Sequence, residues 1–241
     1  RVLGDKKYLD RALENAAFIT GYMMEKDGRL RRNFKNGKAS INAFLDDYAF
    51  TIQAFISLYQ ATFDQEWLFR ARTLLTYALD HFYHKETGMF YYTSDLDPAL
   101  IARKMETNDN VIPASNSQMA LNLYLLGVYF DESGYIEKSR AMLNNVKGNM
   151  EKAGPYYANW ALLMTYFLNP PYEVAILGDD WDAKRKELDE QFYPQVLLMG
   201  GKSEGKLPLL QDKLREGKTT IYVCWNKTCQ YPVTEVEEAR K

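Results

Sequence analysis

Two adjacent carboxylates, Asp46 and Asp47, stand at the start of a strongly apolar stretch that runs from residue 42 to residue 59. A carboxylate at the mouth of a cavity could act as a general acid, a general base or a substrate anchor. Neighbouring residues of a helix point about 100° apart, so we expect only one of the two to face such a cavity. Asp47 is the first candidate for catalysis. The alternative is that one of these carboxylates caps the helix and interacts with its dipole.

A glycoside hydrolase needs a second carboxyl group, about 5 to 9.5 Å from the first. The polar segment that precedes residue 115 offers Glu106 and Asp109. Glu106 is therefore the second candidate catalytic residue, with Asp109 as the alternative.

More polar and aromatic side chains lie close to the predicted starts of the apolar helices, and a basic segment occupies residues 29–33. Sugars suit such a mixture, because their hydroxyl groups need donors and acceptors and their C–H faces stack on aromatic rings. The expected substrate-binding residues are Asp46, Tyr48, Tyr92, Arg103, Ser115, Asn116 and Ser117. Helix capping explains the Ser115–Ser117 segment without any ligand, so that alternative stays open.

No metal site and no cofactor are predicted. His81 and His84 are three residues apart, but no matching carboxylate or cysteine lies nearby in the sequence. Cys224 and Cys229 could form a local disulfide, bind a metal with outside help, or remain a buried thiol and its neighbour. The buried thiol is the preferred interpretation. Two cysteines are too few for a disulfide framework, which favours a reducing compartment and a cytoplasmic location.

The first 169 residues predict helices that alternate in character. Amphipathic helices begin near residues 6, 65 and 135, and almost entirely apolar helices begin near 46, 115 and 156. A helix that is apolar all round must be enclosed by other structure. Since open solenoids usually leave each helix one exposed side, the alternation predicts an inner, covered ring inside an outer ring. We therefore expect a partial α/α toroid of about three helical hairpins.

Pro170-Pro171 marks a predicted boundary between two domains, 1–169 and 170–241. Beyond it, short apolar strands alternate with helices, which favours a small parallel sheet of three strands. The predicted strands are 174–177, 195–199 and 220–224, and the predicted helices are 181–192 and 207–214. The fold class is thus mainly α: a partial α/α toroid followed by a small parallel α/β unit.

The charge and the apolar content of the chain argue against two classes of partner. The 241 residues carry 30 basic and 32 acidic side chains, for a net charge of −2. No overall field therefore favours nucleic acid or an anionic membrane. No apolar run is long enough to predict a membrane-spanning helix. We expect no nucleic-acid partner and no membrane partner.

Four motifs together resemble one known family: FLDDYAF at 44–50, EWLFRA at 66–71, PASNS at 113–117 and YVCWNKTCQYP at 222–232. The chain is similar, over nearly its whole length, to the carboxy-terminal part of the YyaL / spermatogenesis-associated thioredoxin-domain proteins. That resemblance implies a six-hairpin toroid of the kind found in glycosidases and N-acylglucosamine 2-epimerases. It also implies an upstream thioredoxin-like domain, which this sequence lacks.

By the same resemblance, some positions correspond to family motifs. Asp47 and Tyr48 fall on the acidic helix start, and Asn116 and Ser117 on an Asn-Ser pair. Arg103 falls on an arginine after the extended segment, and Cys224 and Cys229 on two late cysteines. The resemblance supplies no established reaction.

The sequence therefore favours a carbohydrate-binding or carbohydrate-processing toroid with a sugar ligand, either glycosidase-like or sugar-epimerase-like. The alternative is a non-catalytic scaffold that partners a thioredoxin-like domain. Because half a toroid leaves apolar flanks open, we also expect a two-fold homodimer that covers them.

Overall fold

The computed structural model describes residues 3–98 and 101–240. Most of the chain before residue 169 is helical, as expected. A π-helical turn at Ile19–Met23 continues the first helix, and a 3₁₀ turn at Gly154–Tyr157 leads into the sixth. The helices are α1 (Lys6–Phe18), α2 (Leu45–Thr62), α3 (Glu66–His81), α4 (Ser115–Tyr129), α5 (Ser133–Met150), α6 (Ala158–Leu168), α7 (Trp181–Leu188) and α8 (Val236–Ala239).

The strands form three separate sheets. Strands β1 and β2 make an antiparallel hairpin, with Asn36-Gly37 at its turn. Strands β3 and β4 make a second, very short antiparallel pair, and the remaining four strands form one sheet. The strands are β1 (Arg31–Lys35), β2 (Lys38–Asn42), β3 (Tyr83–His84), β4 (Met89–Phe90), β5 (Tyr172–Leu177), β6 (Val196–Gly201), β7 (Thr220–Trp225) and β8 (Thr228–Cys229).

The helices of the first part pack as two rows. Helix α4 lies between α2 and α6 and packs against both, while α1 packs on α2, α3 on α2, and α5 on α4. This gives an inner row, α2–α4–α6, beside an outer row, α1–α3–α5. The apolar and amphipathic helices that alternate in the sequence therefore lie in the inner row and the outer row, respectively.

The expected enclosure of all three inner helices is right for α4 and wrong for α6. In α4 every residue except Val128 is buried. In α6 only Trp160 and Leu163 are buried, and Leu168 is 76% exposed. The reason is position: α6 ends the inner row, so α4 is its one neighbour in that row among the described helices, and it packs besides against α5 and the preceding turn. Helix α2 is intermediate, since Ala54 and Ser57 on one edge are exposed.

The predicted three-stranded parallel sheet is also wrong in detail. Its order is β6-β5-β7-β8, and only β5 and β6 run parallel; β7 and β8 are antiparallel to their neighbours. The helix predicted at 207–214 is reduced to a 3₁₀ turn at Pro208–Leu210. The connection from β6 to β7 therefore lacks the full helix that parallel crossovers usually contain, and β7 pairs with β5 in the antiparallel direction. A parallel neighbour needs a crossover of a dozen or more residues, usually helical.

The sheet packs on the carboxy-terminal ends of the inner helices. The Tyr59 hydroxyl of α2 accepts a hydrogen bond from Gly200 N at 3.4 Å, and the Tyr129 hydroxyl of α4 donates one to Leu198 O at 3.2 Å. Gly200 has a φ of 151°, and a Cβ there would lie 1.9 Å from Ile176 O. A larger residue would therefore force β5 and β6 apart. Buried residues of the helices and the sheet form one continuous core.

None of the helices in residues 3–98 and 101–240 combines the length and apolarity needed to cross a bilayer.

Candidate functional site

One extended segment connects the first turns of α2 and α4. Leu45 N, at the start of α2, donates to Tyr92 O at 3.0 Å. Two residues earlier, Phe90 bonds through both its N–H and its carbonyl to the side chain of Asn116 in α4, at 2.8 and 2.9 Å. The amino-terminal ends of these inner helices therefore lie side by side, which is the arrangement that a toroid site requires.

A polar cluster forms at the α2 end of this segment, and we call it the α2 cluster: Arg32, Phe44, Asp46, Asp47 and Tyr92. Arg32 Nη1 lies 3.3 Å from Asp46 Oδ1 and 2.9 Å from Asp47 Oδ2. The Tyr92 hydroxyl donates to Asp46 Oδ2 at 3.0 Å. The Arg32 guanidinium lies 4.8 Å above the Phe44 ring, which in turn is 5.1 Å from the Tyr92 ring.

The two carboxylates converge, contrary to the expectation that they diverge by the helical angle. Asp47 folds back to accept a hydrogen bond from Phe44 N at 2.9 Å, as a residue in the first turn of a helix can. Its carboxylate therefore lies beside that of Asp46, and a single arginine nitrogen binds both. Helix capping and a paired-carboxylate arrangement are not alternatives here, because Asp47 takes part in both.

The α2 cluster is partly open to solvent. The side chains of Arg32, Asp46 and Asp47 keep 38%, 19% and 28% of their surface exposed. Burial raises the pKa of Asp47, and the neighbouring Asp46 charge adds to this, against the opposing effects of the Phe44 N–H and Arg32. Burial, then the hydrogen bond to Asp46, raises the pKa of Tyr92 to about 12. Tyr92 therefore remains a hydrogen-bond donor at neutral pH.

Glu106 accepts hydrogen bonds from the first turn of α4. Its Oε2 accepts from Ser115 N at 3.0 Å, so the carboxylate binds one of the free N–H groups of the helix. The Glu106 carbonyl accepts from both the backbone and the side chain of Asn116, at 3.3 and 2.9 Å. Asn116 is fully buried, and its amide bridges β4 to the loop before α4. Among the described residues, no direct hydrogen bond joins Glu106 to Asp47.

Asp109 joins the starts of α4 and α6. Its Oδ1 accepts from Ala114 N at 2.9 Å and from the Ser117 hydroxyl, while its Oδ2 accepts from Asn159 N at 2.8 Å. The Ser117 oxygen also accepts from the Asn159 side chain at 3.2 Å. All three inner helices are thus connected at their amino-terminal ends, the first pair through residues 90–92 and the second through Asp109.

The remaining predicted site residues lie apart from the α2 cluster. Tyr48 is fully buried: its hydroxyl accepts from Leu30 N at 2.8 Å, and its ring stacks on Tyr77. Arg103 donates to Thr93 O and lies 4.1 Å above the Tyr91 ring, next to the same extended segment. The Ser115 hydroxyl is buried without a hydrogen-bond partner among the described residues.

Sequence analysis did not single out Arg32 or Phe44 as individual site residues. Arg32 lies in the basic segment 29–33, but nothing in its spacing distinguishes it from Arg31, which pairs with Glu25 instead. In strand β1 these neighbours point to opposite faces. Phe44 lies two residues before the acidic pair, and an aromatic residue this close to paired carboxylates is the signal that could have identified it.

No group of three or more histidine, cysteine, aspartate or glutamate side chains suited to a metal ion occurs in the part of the chain that the structure describes.

Comparison with known proteins gives relatives but no domain family, since no family model matches the chain. The uncharacterized protein B0495.5 of Caenorhabditis elegans is 28% identical over 257 residues, covering 97% of this chain and 34% of that protein. Spermatogenesis-associated protein 20 of Homo sapiens is 24% identical over 261 residues, covering 100% of this chain and 33% of its own length. The rat protein of the same name matches equally well.

The chain spans about a third of the length of the curated relatives it matches. The similarity extends over the α2 cluster, the helix starts and the late cysteines, because it covers essentially the whole chain. It confirms the resemblance predicted from the motifs: this chain is related over its full length to spermatogenesis-associated protein 20.

Proposed function

We propose that the α2 cluster binds a sugar, and that the chain forms part of a carbohydrate-binding or carbohydrate-processing toroid. The observation that carries the proposal is the joint placement of Asp46 and Asp47 on Arg32 Nη1, next to the Phe44 and Tyr92 rings. A sugar ring offers hydroxyl groups to charged donors and acceptors and a C–H face to an aromatic ring. All these groups are present within one partly exposed cluster.

Asp47 is the residue to which we assign proton transfer. Its raised pKa favours the protonated form more than that of an ordinary aspartate. Asp46 is its immediate neighbour, and two carboxyl groups in unlike environments are what glycosidase-like acid–base chemistry uses. A glycosidase-like or epimerase-like reaction would then use Asp47 as the acid, Asp46 as the second carboxyl group, and Arg32 and Tyr92 to orient the hydroxyl groups.

Isothermal titration against a panel of amino sugars and uronates tests the proposal. We expect binding by the wild-type chain that weakens about tenfold in Arg32→Ala, the loss of one charged hydrogen bond costing about 1.5 kcal/mol or more. Arg31→Ala is the matched control, because Arg31 pairs with Glu25 on the other face of the strand. Absence of heat across the panel, also with a full-length relative, would rule the proposal out.

A second candidate is a non-catalytic scaffold that partners a thioredoxin-like domain. One observation favours it: the polar groups at the start of α4, in Glu106, Asn116 and Ser117, are engaged in hydrogen bonds that hold the helices together. Such groups are structural rather than free to bind a substrate. This candidate predicts that a pull-down captures the same protein partner with wild type and with Asp47→Asn. Loss of sugar turnover in Asp47→Asn would defeat it.

A further inference from the structure

Cys224 and Cys229 form a disulfide across neighbouring strands, so the preference for a buried thiol is wrong. The two residues face each other directly in the β7–β8 ladder. Asn226 and Lys227, with φ values of 50° and 64°, make the tight two-residue turn that brings the strands back together. The spacing of the two cysteines in the sequence could not predict the disulfide, because the disulfide depends on that turn.

Glu173 extends this pair into a row of three side chains. It faces Cys224 directly in the β5–β7 ladder, as Cys229 does on the opposite side. Directly opposite residues in antiparallel strands project to the same face of a sheet, with Cβ atoms about 4.5 to 5.5 Å apart. Glu173, Cys224 and Cys229 also line one cavity of about 20 Å³, which has room for little more than a water molecule.

The carboxyl group of Glu173 is unusual for its position. The residue is only 9% exposed, and its Oε2 atom is buried with no hydrogen-bond partner among the described residues. A buried ionised carboxylate without full hydrogen bonding is costly. In agreement, burial raises the pKa of Glu173, against the opposing effect of the Lys227 N–H and of the Lys227 and Lys213 charges. Glu173 is the second residue of β5, and the four residues that follow it in the strand are apolar and buried.

We propose that Cys224 and Cys229 are a redox-active pair that exchanges with an external dithiol, and that Glu173 is the proton donor and acceptor of that exchange. Disulfides that occur in reducing compartments are usually transient, catalytic or redox-sensing. The proposal does not depend on the sugar site.

The exchange balances as follows. A thiolate of the external dithiol attacks the Sγ of Cys229, the more accessible sulfur; Cys224 is 3% exposed. The S–S bond breaks, a mixed disulfide forms on Cys229, and Cys224 leaves as a thiolate that takes the Glu173 proton. The second thiol of the reagent then gives its proton to the Glu173 carboxylate and attacks the reagent sulfur of the mixed disulfide. The cyclic disulfide of the reagent is released, and the Cys229 thiolate takes from solvent the proton that the first reagent thiol had released. The reagent has lost two electrons and two protons, and Glu173 is again protonated.

Several charged groups surround this acid and share its electrostatic field. Lys213 and Lys227 line the small cavity, and they would stabilise a Cys224 thiolate. On the helical side of Glu173, a second cavity is lined by Tyr124, Asp131 and Arg140. Lys227 also pairs with Asp131, which ties the β7–β8 turn to the α4–α5 connection.

The test is the rate at which dithiothreitol reduces the native full chain. Iodoacetamide traps the thiols and mass spectrometry counts them. The wild-type rate, divided by the fraction of reagent thiolate, should fall as pH rises through the raised pKa of Glu173. In Glu173→Gln that corrected rate should be independent of pH and, at acid pH, on the order of tenfold slower. Glu235→Gln, an exposed acid of the same region paired with Lys184, should behave as wild type.

Two outcomes would overturn the proposal. One is a Glu173→Gln chain that folds, judged by circular dichroism, and keeps both the wild-type rate and its pH profile. The other is a wild-type pair that diamide fails to oxidise, or that dithiothreitol reduces only in denaturant. A variant that does not fold can be replaced by Glu173→Asp, for which the rate should fall while the pH dependence persists.

Discussion

Asp109 Oδ2 accepts a hydrogen bond from Asn159 N at 2.8 Å, across 50 residues of sequence. The other oxygen of the same carboxylate binds Ala114 N and Ser117. One buried side chain therefore fixes the spacing of α4 and α6 at their amino-terminal ends. It also completes hydrogen bonds that two helix starts would otherwise leave open. Asp109 therefore positions the starts of α4 and α6 relative to each other.

Asp109→Asn should destabilise the chain by about 2 to 3 kcal/mol, because one amide oxygen replaces two carboxylate oxygens and an NH₂ group then faces a backbone N–H. Urea unfolding followed by circular dichroism measures the change. Asp179→Asn is the matched control: its side chain is 93% exposed, and we expect no measurable effect. Equal stability of both variants would contradict the role assigned to Asp109.

Asn116→Ala should also destabilise the chain by about 2 to 3 kcal/mol, because it leaves the N–H and the carbonyl of Phe90 unpaired in the core. Asn144→Ala, on the exposed face of α5, is the control and should be neutral. The experiment also distinguishes a structural role from the substrate-binding role predicted from the sequence. A variant of wild-type stability that loses sugar binding would make Asn116 a ligand residue.

The helices could be predicted from the sequence because their apolar periodicity is local. Helix α4 has no polar face, and it is buried almost throughout. The same composition in α6 predicts the same burial, yet Leu162 and Leu168 are exposed. The apolar composition of a helix shows that its surface needs to be buried. Whether it is buried depends on neighbouring elements, which the sequence of the helix itself does not specify.

Three of the five residues of the α2 cluster could be predicted from the sequence, but their contacts could not. Asp46, Asp47 and Tyr92 were predicted individually, and the structure brings them together around Arg32. The helical angle argued against convergence, because it ignores the capping bond from Asp47 to Phe44 N. The antiparallel course of β7 escaped prediction for a similar reason. The connection before it contains a 3₁₀ turn at Pro208–Leu210, where a helix was expected.

Glu173→Gln should make stability less dependent on pH. Burial raises the folded-state pKa of Glu173 above that of an ordinary glutamate, so its protonated form stabilises the fold at acid pH, and this contribution is lost as pH rises through the folded pKa. At neutral pH the variant should therefore be more stable than wild type, and the difference should vanish at acid pH. Urea unfolding across this range measures it.

Glu235→Gln is the control, because the contribution of Glu235 to stability changes with pH in the opposite direction. The side-chain hydrogen bond from Lys184 lowers the pKa of Glu235, so its stabilising contribution is present above the ordinary pKa of a glutamate and is lost as pH falls through the folded pKa. The Gln variant should consequently be no more stable than wild type at neutral pH. If the two substitutions changed stability at neutral pH in the same direction, the buried charge of Glu173 would not be the cause of the change.

The exposed end of the inner row predicts self-association. Leu162 and Leu168 leave an apolar face on α6, and contiguous faces of this kind mark association sites. We expect a two-fold dimer of the chain at micromolar concentration, which Leu168→Glu converts to monomer because a charge would be buried in the contact. Light scattering measures the mass of both. Phe192→Glu is the control, since Phe192 is exposed outside the helical rows and its replacement should leave the dimer intact. A wild-type chain that scatters as a monomer would contradict the expectation directly, and a dimer unchanged by Leu168→Glu would place the contact on another surface.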